Sequence, residues 1–534
     1  MNGRIVGLLV TIVVTLSFIL GACQAAPTPT PTKAPAVATA APAAAPTPTT
    51  AAAAAPKGQV TLVTLSEPVM MDAILDANQI HNRAVFPSMV EGLTRQNVKT
   101  YGVEPSLATK WEQLKPDTWR YTLRQGVKFH NGETFNADAV VYSLNRAADK
   151  ALASKVGRWW PAGGKAVKVD DFTVDITSSD LDPIQPLRLM YAPMVAPKHA
   201  QEKPDELATK LYSTGPYKLA EWVKGQYLKM TAFDGYWGTA PKIKDATVVG
   251  RAEAAVRTAM VKTGEADWAY NLSPEQAKEV PKYSSVASAE TIMVRMDTQN
   301  AVLKDNRVRT AMNLAVDKNS IMKNLYGGFA APANGQIIGS YVIGHNPNLK
   351  DYPYDVDQAK KLVAEAKAAG IPTDTTELDI WARKGRMPRW EEMTEVLAND
   401  WNKIGVKVKV VIAESAAWSE KWYSVGAGQT RAALGITGHD NFGDSQQTFD
   451  GYLVCGGVTS TYCSPALEET AKQSRALTGE ARAKAFRDIW QQVYAEAPFV
   501  PIFRQQSIIG LSKRLVWEAR YDDWAPVQEM TLTD

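Results

Sequence analysis

The chain has 534 residues, of which 45% are hydrophobic and 22% charged, with 59 basic and 56 acidic side chains for a formal charge of +3. A single hydrophobic core stops growing at about 250–300 residues, so at least two lobes are expected. The near-balanced charge leaves no electrostatic footprint for a nucleic acid or an anionic surface, and the composition excludes a fibrous or wholly disordered chain.

The first element is the apolar run "IVGLLVTIVVTLSFIL" behind Arg4, followed by Gly21 and Ala22. This is the layout of an export signal, residues 1–22. A membrane anchor is the alternative, but a span needs about 20 apolar residues and this run is short for one. The sequence "LGAC", Leu20 to Cys23, resembles a bacterial lipobox, which implies cleavage before Cys23 and acylation of its thiol. More than one acyl chain is needed for stable anchoring. Residues 23–56 form a tether: beyond Cys23, Pro, Thr and Ala predominate, with one charge at Lys33. Such a segment cannot bury enough to fold, and in extended form it reaches on the order of 100 Å.

From Lys57 the signals alternate. "QVTLVTL" at 59–65 has strand periodicity, and "TWRYTLRQGVKFHNG" reads as strand, turn, strand. Asn136 is placed to cap a helix with Val140, Leu144 and Ala147 on one face. Asp305 or Asn306 opens another, with Val308, Met312, Ala315 and Val316 inward. A third carries Ala359, Leu362, Val363 and Ala366 and stops at Gly370. A fourth carries Trp390, Met393, Leu397 and Trp401, stops at Gly405, and feeds the strand "VKVKVVI". Helix to strand through a glycine turn is the unit of an α/β fold. The segment 480–503 repeats the order once more, and no repeat of 20–50 residues is visible.

Common catalytic constellations are absent. The five His (81, 130, 199, 345 and 439) show no metal-ligand spacing, and there is no HExxH, CxxC or GxSxG. "AGGKA" at 162–166 has Ala166 where a phosphate loop needs Ser or Thr. No cofactor and no metal are expected.

Several blocks, in order, resemble the bacterial extracellular solute-binding proteins of family 5, the peptide-, nickel- and opine-type receptors of ABC importers. They are "VEGLTRQNVKTYGVEPSLATKWEQ", "YTLRQGVKFHNGETFNADAVVYSLNRA", "STGPYKL", "NRVRTAMNLAVDKNSI", "YDVDQAKKLVAEA" and "WNKIGVKVKV". The resemblance runs from about residue 60 to 515 and is nearest to the dipeptide-binding branch. It implies an α/β, periplasmic-binding-protein-like, two-lobed fold (type II, cluster C) with a hinge. Lobe I is expected at 57–297 with a subdomain at about 81–210, lobe II at 298–500, and a return to lobe I at 501–534. The crossings fall near Met296–Asn300 and Pro498–Phe503. Binding rather than chemistry is implied, by hinge closure on a ligand that touches both lobes. The partners implied are a small peptide or similar solute and the importer's permease subunits, with the lipid anchor at the outer face of the membrane, no nucleic acid, and a monomeric receptor. A secreted hydrolase and an envelope interaction protein are the alternatives from other classes. Within the receptor class a nickel chelate, an opine or a sugar is the alternative ligand.

The resemblance also nominates contacts. The run "GITGHDNFGDSQQTFDGYLVCGG" maps an ammonium-binding acid onto Asp440, with Asp444 second; a turn-capping Asp is the other reading. This chain departs from the family run with Ile436 in place of an aromatic residue and His439 before the acid. "WARKGRMPRW" nominates Arg383 and Arg386 for a carboxylate, against a solvated basic face. Asn78, Gln79 and His81 match the cleft-facing loop after the first strand. Trp381 and Trp418 either wall the pocket or pack in a core. Cys455 and Cys463 read as a disulfide in an exported protein, or as two buried thiols. As a bridge they are expected to brace the segment that presents Asp440.

Overall fold

The computed structural model describes residues 55–75, 83–152, 164–422, 433–440, 443–457 and 459–533, with the main chain alone for Lys150 and 438–440. The signal, Cys23 and the tether lie outside the described residues, as do Asn78, Gln79 and His81.

Strand β1 (Lys57–Thr64) starts the first lobe. A short hairpin, β2 (Thr94–Gln96) and β3 (Val103–Pro105), follows. Next comes a separate antiparallel sheet of β4 (Ala108–Lys115), β5 (Thr118–Leu123), β6 (Lys165–Asp170) and β7 (Thr173–Thr177) in the order β4-β5-β7-β6. The helix Ala137–Ala148 packs on this sheet. Asn136 caps it as expected, accepting the Ala139 amide at 3.2 Å, and Val140, Leu144 and Ala147 are buried. This subdomain has a core of its own, which includes Tyr121, Phe129, Phe135, Val140 and Leu144.

The main sheet is completed by β8 (Tyr217–Val223), β9 (Tyr227–Ala232), β10 (Ile243–Gly250), β11 (Trp268–Ala269), β12 (Lys282–Met296), β13 (Ala330–Ala331), β14 (Leu378–Arg383), β15 (Val408–Ala413), β16 (Leu434–Asp440) and β17 (Phe499–Leu511). Its order is β15-β14-β16-β12-β17-β11-β1-β10-β9-β8, with β13 also on β17. Two parallel nuclei stand out, β10-β1-β11 in the first lobe and β15-β14-β16 in the second. The antiparallel pair β12 and β17 joins them.

That pair is where the chain changes lobe. Lys282–Ala287 pairs with Gln506–Leu511 on the first-lobe side, and Thr291–Arg295 pairs with Phe499–Arg504 on the second-lobe side, with register shifts between. From Glu290 onward β12 also takes β16 as a partner. The register of this pairing is irregular at 287–291 and at 504–506, on the first-lobe side of the crossings expected at Met296–Asn300 and Pro498–Phe503. Neither strand breaks there. The boundary is a bulge inside continuous strands, marked only by the polar residues of "SAETIMVRM".

The second lobe has a core on each face of its sheet. One contains Trp390, Met393, Leu397 and Trp401 from the helix Trp390–Lys403, together with Ala359, Val363 and Ala366, as the sequence periodicity predicts. The Trp401 indole donates to Met312 O at 2.9 Å and pins two helices together. The other core contains Phe449, Phe486, Ile489 and Trp490 from the later helices. Large side chains buried in this way contribute about 1.5–3 kcal/mol each, enough to hold β14, β15 and β16 as a rigid floor.

Candidate ligand-binding cleft

In an open α/β sheet the usual binding crevice lies beyond the carboxyl ends of the strands, where successive connections diverge. In the second lobe the chain leaves β14 through the helix Trp390–Lys403 to β15 on one side. It then passes through the helix Ser415–Trp422 to β16 on the other. The crevice therefore opens between β14 and β16. Their last residues are Arg383 and Asp440, two of the sequence candidates. In the first lobe β1 holds the same central place between β10 and β11.

The two sets of strand ends approach one another. Arg389, just after β14, reaches Glu275, just after β11, at 3.6 Å. Tyr270, which follows β11, is fully enclosed. Burial holds its phenol well above the ordinary range, and it feels charges from both sides: Arg83 and Asp523 of the first lobe, Glu290 of the crossing and Arg386 of the second lobe. Arg83 and Asp523 pair at 3.0 Å with side chains 5% exposed each, and the Arg83 guanidinium lies 4.8 Å from the Tyr270 ring centre. A buried pair of this kind orders the site more than it stabilises the fold.

The β14 loop is held in an uncommon shape. Gly385 has φ +62° and Arg389 has φ +61°. For the non-glycine residue that left-handed geometry is strained, and it is the kind of outlier found at ligand clamps. Within this loop the part-buried Arg386 is already engaged, because its guanidinium is paired with the buried carboxylate of Glu290. Arg383, half-buried at the strand end, is engaged by neighbours. Asp440 ends β16 directly opposite Glu290 in the register, and its side chain lies outside the described residues.

Asp444 has a different task from the one the motif gave it. It is fully buried, accepts the Gln446 amide at 2.8 Å as a helix cap, and receives both arms of Arg482 at 2.9 Å. Its two oxygens are committed to the fold. Trp418 is also buried, stacked on Trp422 at 4.8 Å between ring centres, with Trp381 and Tyr452 packed against the pair. Its indole N–H has no acceptor among the described residues.

Cys455 and Cys463 are bonded to each other, with their Cα atoms 4.5 Å apart. The contacts of this loop run to β12 and Trp422 and to the helix Ser445–Tyr452, where Thr459 donates to Gly451 O and Ser460 Oγ to Tyr452 O at 2.9 Å. Arg295 donates to Thr459 O at 2.6 Å and to Trp422 O at 3.0 Å, and its guanidinium lies 3.7 Å from the Trp422 ring centre. Thr298 N donates to Thr461 O at 2.9 Å. Among the described contacts, this loop is tied to the end of β12, to the tryptophan stack and to the helix that follows Asp444.

Sequence reasoning missed Glu290, Tyr270, Asp523 and Arg504. A signal existed for the first, an acidic residue inside a long strand of otherwise small or apolar neighbours. Asp523 and Arg504 are brought in by the return of the chain, and Tyr270 by the pairing of β11 with β1 and β17, none of which a local pattern encodes. Among the described residues no three His, Cys, Asp or Glu converge as a metal site requires.

The sequence profile of the bacterial extracellular solute-binding proteins, family 5 (middle), matches residues 102–460. The chain belongs to this family. A family-5 protein captures a small solute outside the cytoplasm for the permease of an ABC importer. The chain is 27% identical over 460 residues to the glutathione-binding protein GsiB of Pectobacterium atrosepticum, covering 82% of this chain and 87% of that one. It is 28% identical over 446 residues to the dipeptide-binding protein of Escherichia coli, covering 76% and 82%. A solved structure of the same fold is the ABC transporter-associated periplasmic binding protein DppA from Helicobacter pylori, in complex with the peptide STSA. The TM-score is 0.75 at 22% identity, over 89% of this chain and 98% of that one. This family-5 chain therefore has the two-lobed solute-receptor fold. Among its described residues no helix is long and apolar enough to cross a membrane.

Proposed function

We propose that the protein captures a short peptide, or a zwitterion of similar charge layout, and presents it to an importer without chemical turnover. It does so as a monomer tethered to the outer face of the membrane through a lipid on Cys23. The observation that carries this reading is the charge layout at the switch point between β14 and β16. The strands β14 and β16 end at Arg383 and Asp440, and Tyr270 of the first lobe feels charges from Arg83, Asp523 and Arg386, which supports a site lined by both signs. A ligand carrying both signs answers such a site, because a buried ammonium needs a carboxylate and a buried carboxylate needs a guanidinium. The printed names of the relatives, which bind glutathione, a dipeptide and STSA, support the same class. Asp440 is the proposed partner of the ligand's ammonium, with Asn78, Gln79, His81 and Trp418 as further contacts.

The test is native mass spectrometry of the protein as purified, followed by a thermal-shift screen with peptides, histidine with nickel, opines and sugars. Peptide co-purification, or a peptide-specific rise in Tm, is the expected result, since a ligand that binds only the native state stabilises it. Stabilisation by sugars or metal chelates alone, or hydrolysis of the peptides, would reject the peptide reading.

A further inference from the structure

Arg504 lies on β17 at the point where the chain returns from the second lobe to the first. It is mostly buried, yet no carboxylate of the described residues pairs with it. One arm donates to Ser288 O in the bulge at 3.1 Å, and the guanidinium lies 5.3 Å from the centre of the Tyr341 ring. The Nε–H is buried with no acceptor among the described residues. Directly across the ladder stands Thr291, whose hydroxyl is also buried without a partner among the described residues. On the other side stands Ala331, a side chain too short to cover the guanidinium. The nearby titratable group is His345, whose basicity is lowered by burial and then by the Arg504 charge. Three other cations named above are paired with carboxylates: Arg83 with Asp523, Arg386 with Glu290, and Arg482 with Asp444.

The niche is bounded by both lobes. Tyr341, from the second lobe, donates to Ala289 O at 3.1 Å. Its ring meets Tyr101 at 5.2 Å and Tyr521 at 4.9 Å, both from the first lobe. The Ala289 amide in turn donates to Tyr521 O. An anion seated here touches the crossing strands and the aromatic contact that joins the lobes.

We propose that Arg504, with the Thr291 hydroxyl beside it, is the seat for the ligand's carboxylate. A guanidinium removed from water without a counter-ion is costly, and a solute that supplies the missing charge is held by charge-assisted hydrogen bonds. Arg386 does not take this role, because a ligand carboxylate would have to displace Glu290. The proposal rests on the peptide reading above and names the residue that reads the peptide's carboxyl end.

Alanine peptides of two, three and four residues, each as the free acid and as the C-terminal amide, are titrated calorimetrically against wild type, Arg504→Met, Arg504→Lys, Thr291→Val and Arg383→Met. Wild type is expected to prefer the acid. Arg504→Met should lose about tenfold to a hundredfold in affinity for the acid, as for the loss of a charged hydrogen bond, and bind acid and amide alike. Arg504→Lys should recover part of the loss. The Tm of ligand-free Arg504→Met should be unchanged or higher, because an unpaired charge has been removed; a merely structural arginine would lower it. The proposal is overturned if Arg504→Met keeps the acid preference, or if Arg383→Met alone abolishes it. If wild type binds none of the peptides, the peptide reading fails first. The same variants are then titrated with whichever carboxylate solute co-purifies, and an unaltered affinity in Arg504→Met rejects the seat as well.

Discussion

Replacing Asp444 with Ala separates a structural acid from a ligand-binding one. The side chain is fully buried and its partner Arg482 is 3% exposed. Beyond Asp444, the Arg482 guanidinium donates to Gln446 Oε1 at 2.6 Å and Ser474 O at 2.7 Å. Removal of the acid leaves a buried cation with two neutral acceptors, which costs about 3–5 kcal/mol. Loss of the cap on the helix Ser445–Tyr452 adds about 1 kcal/mol. The sum, about 4–6 kcal/mol, is a large part of the roughly 5–15 kcal/mol that holds a protein folded. The double variant Asp444→Leu, Arg482→Met removes both charges and is expected to regain most of the loss, because an apolar pair can replace a buried ion pair at little net cost. Urea unfolding followed by tryptophan fluorescence, on wild type, both single variants and the double, closes the cycle. A single-variant cost below about 1 kcal/mol, or strictly additive effects, would refute the reasoning. A loss of peptide binding in Asp444→Asn at unchanged stability would return Asp444 to the ligand site.

Burial pushes the Glu91 carboxyl up from 4.5 to about 7, against the pull of donors on Trp237, Thr214 and Tyr236. Between those pH values the folded protein keeps a proton that the unfolded chain has released. Stability should therefore fall by about 3 kcal/mol as pH rises from 4.5 to 7. Urea midpoints across that window should show the fall in wild type and not in Glu91→Gln; parallel profiles would refute it. The Cys455–Cys463 bridge predicts no alkylation without reductant by intact mass, and reduction should cost about 2–3 kcal/mol on the chain-entropy account. Across the lobes, Arg475 pairs with Asp180 of the subdomain and with Asp450 at 3.0 Å. A part-exposed pair of this kind contributes about 0.2–1 kcal/mol, so Asp180→Asn should weaken ligand affinity up to about fivefold. High salt should shrink the difference, and an effect independent of salt would assign another cause. Gly344 has φ +94°, and a Cβ there would fall 2.3 Å from Phe486 Cβ. Gly344→Ala should lower Tm through strain and overlap together.

Much of the fold was legible because it is local. The stripes of Val140 and Leu144, and of Trp390, Leu397 and Trp401, follow helix periodicity, and each found the core the stripe demanded. The cap at Asn136 needs only three residues of chain. Ordered blocks of motif carried the family, which the profile over 102–460 matches. Arg383 and Asp440 were nominated by the family resemblance, from the runs "WARKGRMPRW" and "GITGHDNFGDSQQTFDGYLVCGG", and not by any local strand pattern; they stand at the ends of β14 and β16.

What the tertiary structure decided is which charges are committed. Asp440 and Asp444 lie four positions apart and look alike in sequence, yet Asp444 is taken by Arg482, thirty-eight residues on. Arg383 and Arg386 share one basic run, yet Arg386 is paired with Glu290, ninety-six residues back. Arg504 reads as one more residue of a late strand, and only the ladder of β12 against β17 shows it to be a guanidinium at the lobe crossing with no carboxylate partner among the described residues. Helices and strands are set by neighbours along the chain, whereas an ion pair is set by which distant charge the finished fold brings to a buried position, and that is settled only when the chain has crossed between the lobes and come back.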